Sequence, residues 1–437
     1  MAQSGPSSWH NWSRTYSVTP ARIVRPRTAE QVADEVCRAV TDNLSVKAVG
    51  SGHSFTDIAV TRGVLVDLSL LTGIIAADRA TGLVTVAAGT TLRELNVALW
   101  KMGLSLANLG DIDGQTISGA ISTGTHGTGR AFGGLATQVR GLELVTADGE
   151  LIECSSERNP EIFTAARVGL GALGIITAVT LHCEPAFLLH AVEAPADLDD
   201  LLEALPALEA SDHFEFYWFP HTRRALTKTN TRLPGHAEPK PLGRFKGWLD
   251  DEFLANTVFE GVNRITSARP SLVGTANRVA ARALTERSYT DRAYRVFTSP
   301  RRVVFREMEY AIPRKALPHV LDEIDGWLQH SGERVGFPIE VRFAAADNIP
   351  LSTGYGRDTC YVAVHQYHRR PHERYFLAVE AIARGVAGRP HWGKLHYRSA
   401  DDLAPAYPRF EDFVRLRDRL DPERRFGNDY LRRVLGS

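Results

Sequence analysis

A histidine set among small residues raises the first chemical question about this 437-residue chain. In "VGSGHSFTDIA", Val49 to Ala59, His53 stands between Gly52 and Ser54. Glycine-rich turns bring backbone N–H groups close to a ligand, and successive N–H groups form a concavity for anions. Two further segments, "DGQTISGAISTGTHGTG" and "GLGALGIIT", mix glycine with hydroxyl or apolar residues beside strands. Three such loops in about 185 residues point to a bound dinucleotide. "GSGHSF" lacks the G-x-G-x-x-G spacing and opens no helix, and no G-x-x-x-x-G-K-[ST] occurs. A holder other than a Rossmann or P-loop arrangement is expected.

Further on, "FPIEVRFAAAD" reads as a strand with Glu340 and Arg342 on one face and Val341 and Phe343 on the other. Alone, such a pair is ordinarily solvated and contributes little. Its neighbours change the reading: "CYVAVHQYHRRPH" carries His365, and "GRPHWGKLH" carries His391 and Lys394 beside an aromatic and a glycine. These are acid–base and charge-stabilising groups. His365, His368, His372, His391 and His396 are numerous, but none belongs to an H-E-x-x-H run, so no metal is expected. With no G-x-S-x-G elbow, serine hydrolase chemistry is not expected either.

The elements that must position these groups are legible in outline. Thr28 offers an N-cap to a helix with Val32, Val36, Ala39 and Val40 on one stripe, and "SVKAVG" then runs as a strand into the His53 loop. "GVLVDLS", "GLVTVAAGT" and "GLELVTADGELIEC" read as strands and hairpins. Between them, "TLRELNVALWKMG" is an amphipathic helix with Leu92, Leu95, Leu99 and Met102 on one side, ended by Gly103. After Pro185 strand-like alternation dominates, with a helix burying Leu317, Val320, Leu321, Ile324 and Leu328. Residues 233–249 read as an exposed excursion, and the C-terminal stretch as one helix plus turns.

Lysine plus arginine and aspartate plus glutamate both number 51, which gives no field to attract nucleic acid, so partners are small molecules. Cys37, Cys154, Cys183 and Cys360 lie far apart, as reduced thiols do. No secretion signal and no apolar run of about 20 residues is seen, so a cytoplasmic protein without an integral membrane segment is expected, peripheral membrane contact remaining open.

Taken in order, "GSGHSF", "TGTHGTG", "LGALGIITAVTL", "IEVRF" and "HWGK" resemble the sugar-lactone branch of the vanillyl-alcohol-oxidase flavoprotein family across nearly the whole chain. The resemblance implies an α+β fold: a two-subdomain FAD-binding domain, residues 1–185, then an antiparallel-sheet cap domain with flanking helices, 186–390. Residues 391–437 would return to the FAD domain. It implies FAD cradled by Val49, Gly50, Ser51, Gly52, His53, Ser54 and Phe55, and bonded covalently through a ring nitrogen of His53. Thr116, Ile121, Gly124, Thr125, His126, Gly127, Ile175 and His391 would complete the cofactor site. Glu340, Arg342, Lys394 and His365 match the branch's catalytic positions. The implied reaction oxidises the C2 hydroxyl of an aldonolactone, or alternatively a polyol, passing a hydride to the flavin. Glu340, His365 and Lys394 can each be argued as the group that takes the hydroxyl proton. Electrons would pass to O2 or another acceptor, and Gln115, by its place before Thr116, would hinder O2.

Overall fold

The structure is a computed structural model and describes residues 8–243, 256–299 and 302–437. Thr28 accepts the Gln31 N–H and starts the helix Ala29–Thr41, which buries Val32, Val36 and Ala39. Val40 is 42% exposed. Eight residues beyond Val32, it has drifted about 80° off the buried stripe. A capping box of Thr91 and Glu94 starts Leu92–Lys101, and Gly103 follows it at φ +75°, a conformation that favours glycine.

Three parallel strands form the first sheet in the order Arg22–Val24, Val64–Asp67, Val46–Val49, so the last of these is an edge strand leading directly into the His53 loop. A five-stranded antiparallel sheet follows, ordered Leu151–Ser155, Val139–Val145, Ile175–His182, Leu83–Ala87, Ile74–Asp78.

Eight strands make the third sheet, in the order Arg287–Arg292, Phe187–Asp197, Arg224–Pro234, His213–Phe219, Ile339–Ala344, Thr359–Tyr367, Phe305–Pro313, Arg389–Pro390. Every pairing is antiparallel. Alternation gives the central strands two unlike faces. Phe214, Phe216, Trp218, Val341, Phe343, Val362 and Val364 pack with Leu317, Leu321, Ile324 and Leu328 of the helix Leu317–Ser331 and with Phe376 and Val379 of Glu373–Gly385. Glu215, Tyr217, Glu340 and Arg342 alternate with these, on the face that meets the glycine loops. There Gly129 N–H donates to Phe343 O (2.8 Å), and Thr128 Oγ1 donates to Phe214 O.

Beyond Pro390 the chain joins the core of the first two sheets through Trp392, Leu403, Tyr407, Phe413, Tyr430 and Leu435. The single helix expected here is three, Ala400–Leu403, Phe410–Leu420 and Asp429–Leu435. Pro405, Pro408 and Pro422 interrupt the helical pattern. Of the excursion at 233–249, residues 244–249 lie outside the described residues; the described part is mostly exposed.

Asn428 anchors this tail. Its Oδ1 caps the last helix by accepting Leu431 N–H (2.9 Å), while its amide donates to the carbonyls of Asp57, Ile58 and Val60 (each 3.0 Å) just beyond the His53 loop. Asn428→Ala removes the cap and leaves those carbonyls short of a donor. The expected cost is about 1–3 kcal/mol, read as a lower denaturation midpoint of the flavin-loaded protein.

Candidate active site

Gly50 to Ser54 leave the edge strand and run against Thr116, the N-cap of the short helix Ile117–Ser122. A Cβ at Gly50 would lie 2.0 Å from Thr116 Oγ1, so only glycine permits this approach. Val49 to Ser54, Gln115, Thr116, Gly119, Leu170, Gly171, Gly174 and Ile175 line one cleft between the first two sheets. Its walls are largely backbone and small side chains. "GLGALG" at 169–174 does have the spacing G-x-G-x-x-G, a match the sequence reading passed over, but it leads into the strand Ile175–His182 and so cannot act as a Rossmann turn.

His53 projects where the cleft meets the third sheet. Its ring stacks on Trp12 (centroids 5.7 Å, 24° between planes). A Cβ at Gly114 would stand 3.1 Å from its Nε2, so this glycine packs closely against the ring. Burial, then the nearby charges of Lys394 and Arg93, lower its pKa and favour the neutral ring. Among the described residues no hydrogen bond engages either ring nitrogen.

The other predicted cofactor residues do not line this cleft. Phe55 lies behind it, its N–H donating to Gly393 O (2.7 Å) and its ring beneath Lys394 Nζ (5.2 Å). Ile121 is in the core. Gly124 takes φ +79° beside Trp392, and Thr125 exchanges hydrogen bonds with Gln115. Gly127 abuts Leu109 O, which a Cβ would approach to 2.2 Å. His126 and His391 join the charged face of the third sheet instead.

On that face two groups of buried charges sit side by side. Arg342 Nε donates to Glu215 Oε2 (2.9 Å), its Nη2 pairs with Glu340 Oε1, and its Nη1 stands 3.8 Å from Asp111. Tyr217 OH donates towards Glu215 (3.2 Å) and Glu340 (3.4 Å). Burial works against the guanidinium's charge, yet Glu340, Glu215 and Asp111 hold its pKa well above the usual value. In the second group Lys394 Nζ pairs with Glu307 Oε2, and His365 Nε2 stands 3.5 Å from Glu307 Oε1. Here too burial opposes the ammonium, and Glu307 and Glu309 outweigh it to raise the Lys394 pKa. Next to them His126 Nε2 meets Glu309 Oε1 (3.1 Å) and stacks on Tyr361 (centroids 3.4 Å). His391 Nδ1 accepts Gly393 N–H (3.0 Å), and burial pushes its pKa down to about 4.

Glu340 and Arg342 are thus a buried pair and not the solvated one their spacing alone would imply. The sequence reading missed Glu215, Tyr217, Glu307, Glu309 and Asp111. A signal existed: "FEFYWF" and "FREMEYAIP" alternate polar and apolar residues as "IEVRF" does, and the register sets Glu215 opposite Arg342, Tyr217 opposite Glu340, and Glu307 opposite His365. Which strands are neighbours was not readable from one strand at a time.

Comparison with known proteins decides the family. The profile described as D-arabinono-1,4-lactone oxidase matches residues 179–434, and that described as FAD binding domain matches residues 20–155. The chain belongs to the D-arabinono-1,4-lactone oxidase family. Within it the chain is 44% identical to L-gulono-1,4-lactone dehydrogenase of Mycobacterium tuberculosis (strain ATCC 25618 / H37Rv), over 98% of this chain and 99% of that protein. It is 37% identical to L-gulonolactone oxidase of Bos taurus (98% of each chain) and 31% identical to an alditol oxidase of Streptomyces (97% and 98%). Cholesterol oxidase from Brevibacterium sterolicum, at 18% identity and TM-score 0.80 over 98% of this chain and 96% of that one, shares the fold.

As a lactone oxidase family member the chain is an FAD-dependent oxidoreductase, and its cleft fits the cofactor. Gly50, Gly119, Gly171 and Gly174 line it largely with backbone, which suits a pyrophosphate, and His53 stands at one end with burial favouring its neutral ring. No described helix is long and apolar enough to cross a membrane.

The lactone oxidase fold also sets a pH response. His213 is buried, its Nδ1 within 2.7 Å of Thr128 O, and burial pushes its pKa to about 4. Its folded value lies below the ordinary value of about 6.5, so stability is full above that pH and falls as pH drops towards 4. The expected loss is about 1.4 kcal/mol per pH unit in that window. Denaturation midpoints of wild type and His213→Phe between about pH 7 and about pH 4.5 check this: the variant's curve should be flatter.

Proposed function

We propose that the protein is a covalent-FAD dehydrogenase that oxidises the C2 hydroxyl of L-gulono-1,4-lactone. The observation that carries this reading is the pairing of Arg342–Glu340 and Lys394–Glu307 on one buried sheet face, beside the cleft that ends at His53. FAD, when bound, supplies the hydride acceptor. His53, favoured neutral by burial and with no hydrogen-bond partner among the described residues, is suited to bond the cofactor through a ring nitrogen.

Oxidation of a secondary alcohol needs the C–H aimed at the acceptor and a place for the hydroxyl proton. Arg342, locked between Glu215 and Glu340, presents a fixed donor array to lactone and hydroxyl oxygens. Of the three groups that could take the proton, Lys394 is held as the ammonium by Glu307 and serves instead as a fixed positive charge. His365 has its Nδ1 on Pro338 O (3.2 Å) and its Nε2 turned to Glu307. The carboxylate of Glu340 is therefore the proposed acceptor, oriented by Arg342 and Tyr217. His391, kept neutral by burial, lines the same face without adding charge. Gln115 lines the cleft and is tied down by Thr125, which supports a role in hindering O2 and favouring another electron acceptor.

Two measurements test the reading. Anaerobically, L-gulono-1,4-lactone should bleach the flavin absorbance faster than xylitol; the reverse order would make the protein a polyol oxidase. The denatured holoenzyme should retain flavin fluorescence on a gel, and His53→Ala should lose it.

A further inference from the structure

We infer that Glu307 is the positioning residue that sets the charge of the catalytic face: it holds Lys394 as a cation and fixes His365. The inference rests on the proposed role of Lys394 as the positive charge of the site.

Glu307 lies on Phe305–Pro313, directly opposite His365 in the antiparallel register. Its carboxylate is 6% exposed and spans both neighbours, Oε2 to Lys394 Nζ and Oε1 to His365 Nε2 at 3.5 Å. Its backbone carbonyl accepts Leu395 N–H (2.9 Å), and two residues on Glu309 O accepts His391 N–H (2.9 Å). The segment His391–Leu395 is thus laced to this strand at both ends, and among the described residues only Glu307 pairs with the ammonium it carries.

The electrostatics agree with that geometry. Lysine buried without a counter-charge loses its proton at lower pH, since burial disfavours the charged form. Lys394 is buried, and yet its pKa is raised, with Glu307 the foremost of the groups that oppose burial. Glu309 is nearby but is already engaged by His126, and Asp111 stands towards Arg342. Facing Glu307 itself are Lys394 and His365, with Glu309 adding repulsion. Removing the Glu307 charge therefore leaves Lys394 with two acids that are committed elsewhere.

The test compares wild type, Glu307→Gln, Glu307→Asp and Lys394→Met as flavin-loaded proteins from about pH 6 to about pH 10. Two quantities are followed: the rate of anaerobic flavin reduction by lactone, and the midpoint potential of the bound flavin without substrate. In wild type neither should break below the ordinary lysine value of about 10.4. In Glu307→Gln both should break at least one pH unit lower, with loss of rate above the break. Glu307→Asp keeps the charge at longer reach and should move the break less, in the same direction; it carries the test should the glutamine variant fail to fold. An unshifted break in both variants, with the rate merely lowered, would overturn the proposal. Lys394→Met separates the two levels: if its rate and potential match wild type throughout, the role of Lys394 itself is wrong, whatever Glu307 does.

Discussion

Everything in this site depends on charges that have been taken out of water and must neutralise one another. Four glutamates, Glu215, Glu307, Glu309 and Glu340, are buried on one face of an antiparallel sheet. Each would be expensive alone, and together they would repel. Arg342 between two of them, Lys394 on the third and His126 on the fourth make the layer tolerable. Buried pairs of this kind seldom add much net stability, because desolvation consumes the Coulomb gain. What they do is fix side chains in one arrangement before a substrate arrives, so that little reorganisation is left for the reaction. The apolar face of the same strands, packed under two helices, keeps that layer from shifting.

Close approach is the second constraint, and it works through glycine. At Gly50 an added carbon would strike the Thr116 side chain, and at Gly127 it would strike the Leu109 carbonyl. The His53 loop is also tied to the charged face from behind, by Phe55 N–H on Gly393 O. That bond links "HWGK" directly to the loop that carries His53. Tyr430 OH on Trp392 O (2.9 Å) and the Asn428 amide extend the same tie to the tail.

Much of this was legible in the chain. The alternation of "IEVRF" placed Glu340 and Arg342 on one face, and the small residues around His53 marked a loop built for close approach. The helix start at Thr28 was readable because capping is local. What could not be read was long-range: that Glu215 would stand opposite Arg342, Glu307 opposite His365, and Asp111 near both groups. Read from its own strand alone, the Glu340–Arg342 pair looks solvated; it is the neighbouring strands that bury it. In the tail, a proline-broken stretch hid three short helices, since each is held by packing and not by a long periodic pattern.

In the proposed reaction this buried layer steers the hydrogen at C2 of an aldonolactone onto the flavin. The most direct measurement is the rate of anaerobic flavin reduction by L-gulono-1,4-lactone carrying deuterium at C2, against the unlabelled compound. A primary isotope effect on the bleaching rate is the predicted result. Full bleaching at equal rates under conditions where chemistry limits the step, or no bleaching at all, would contradict it.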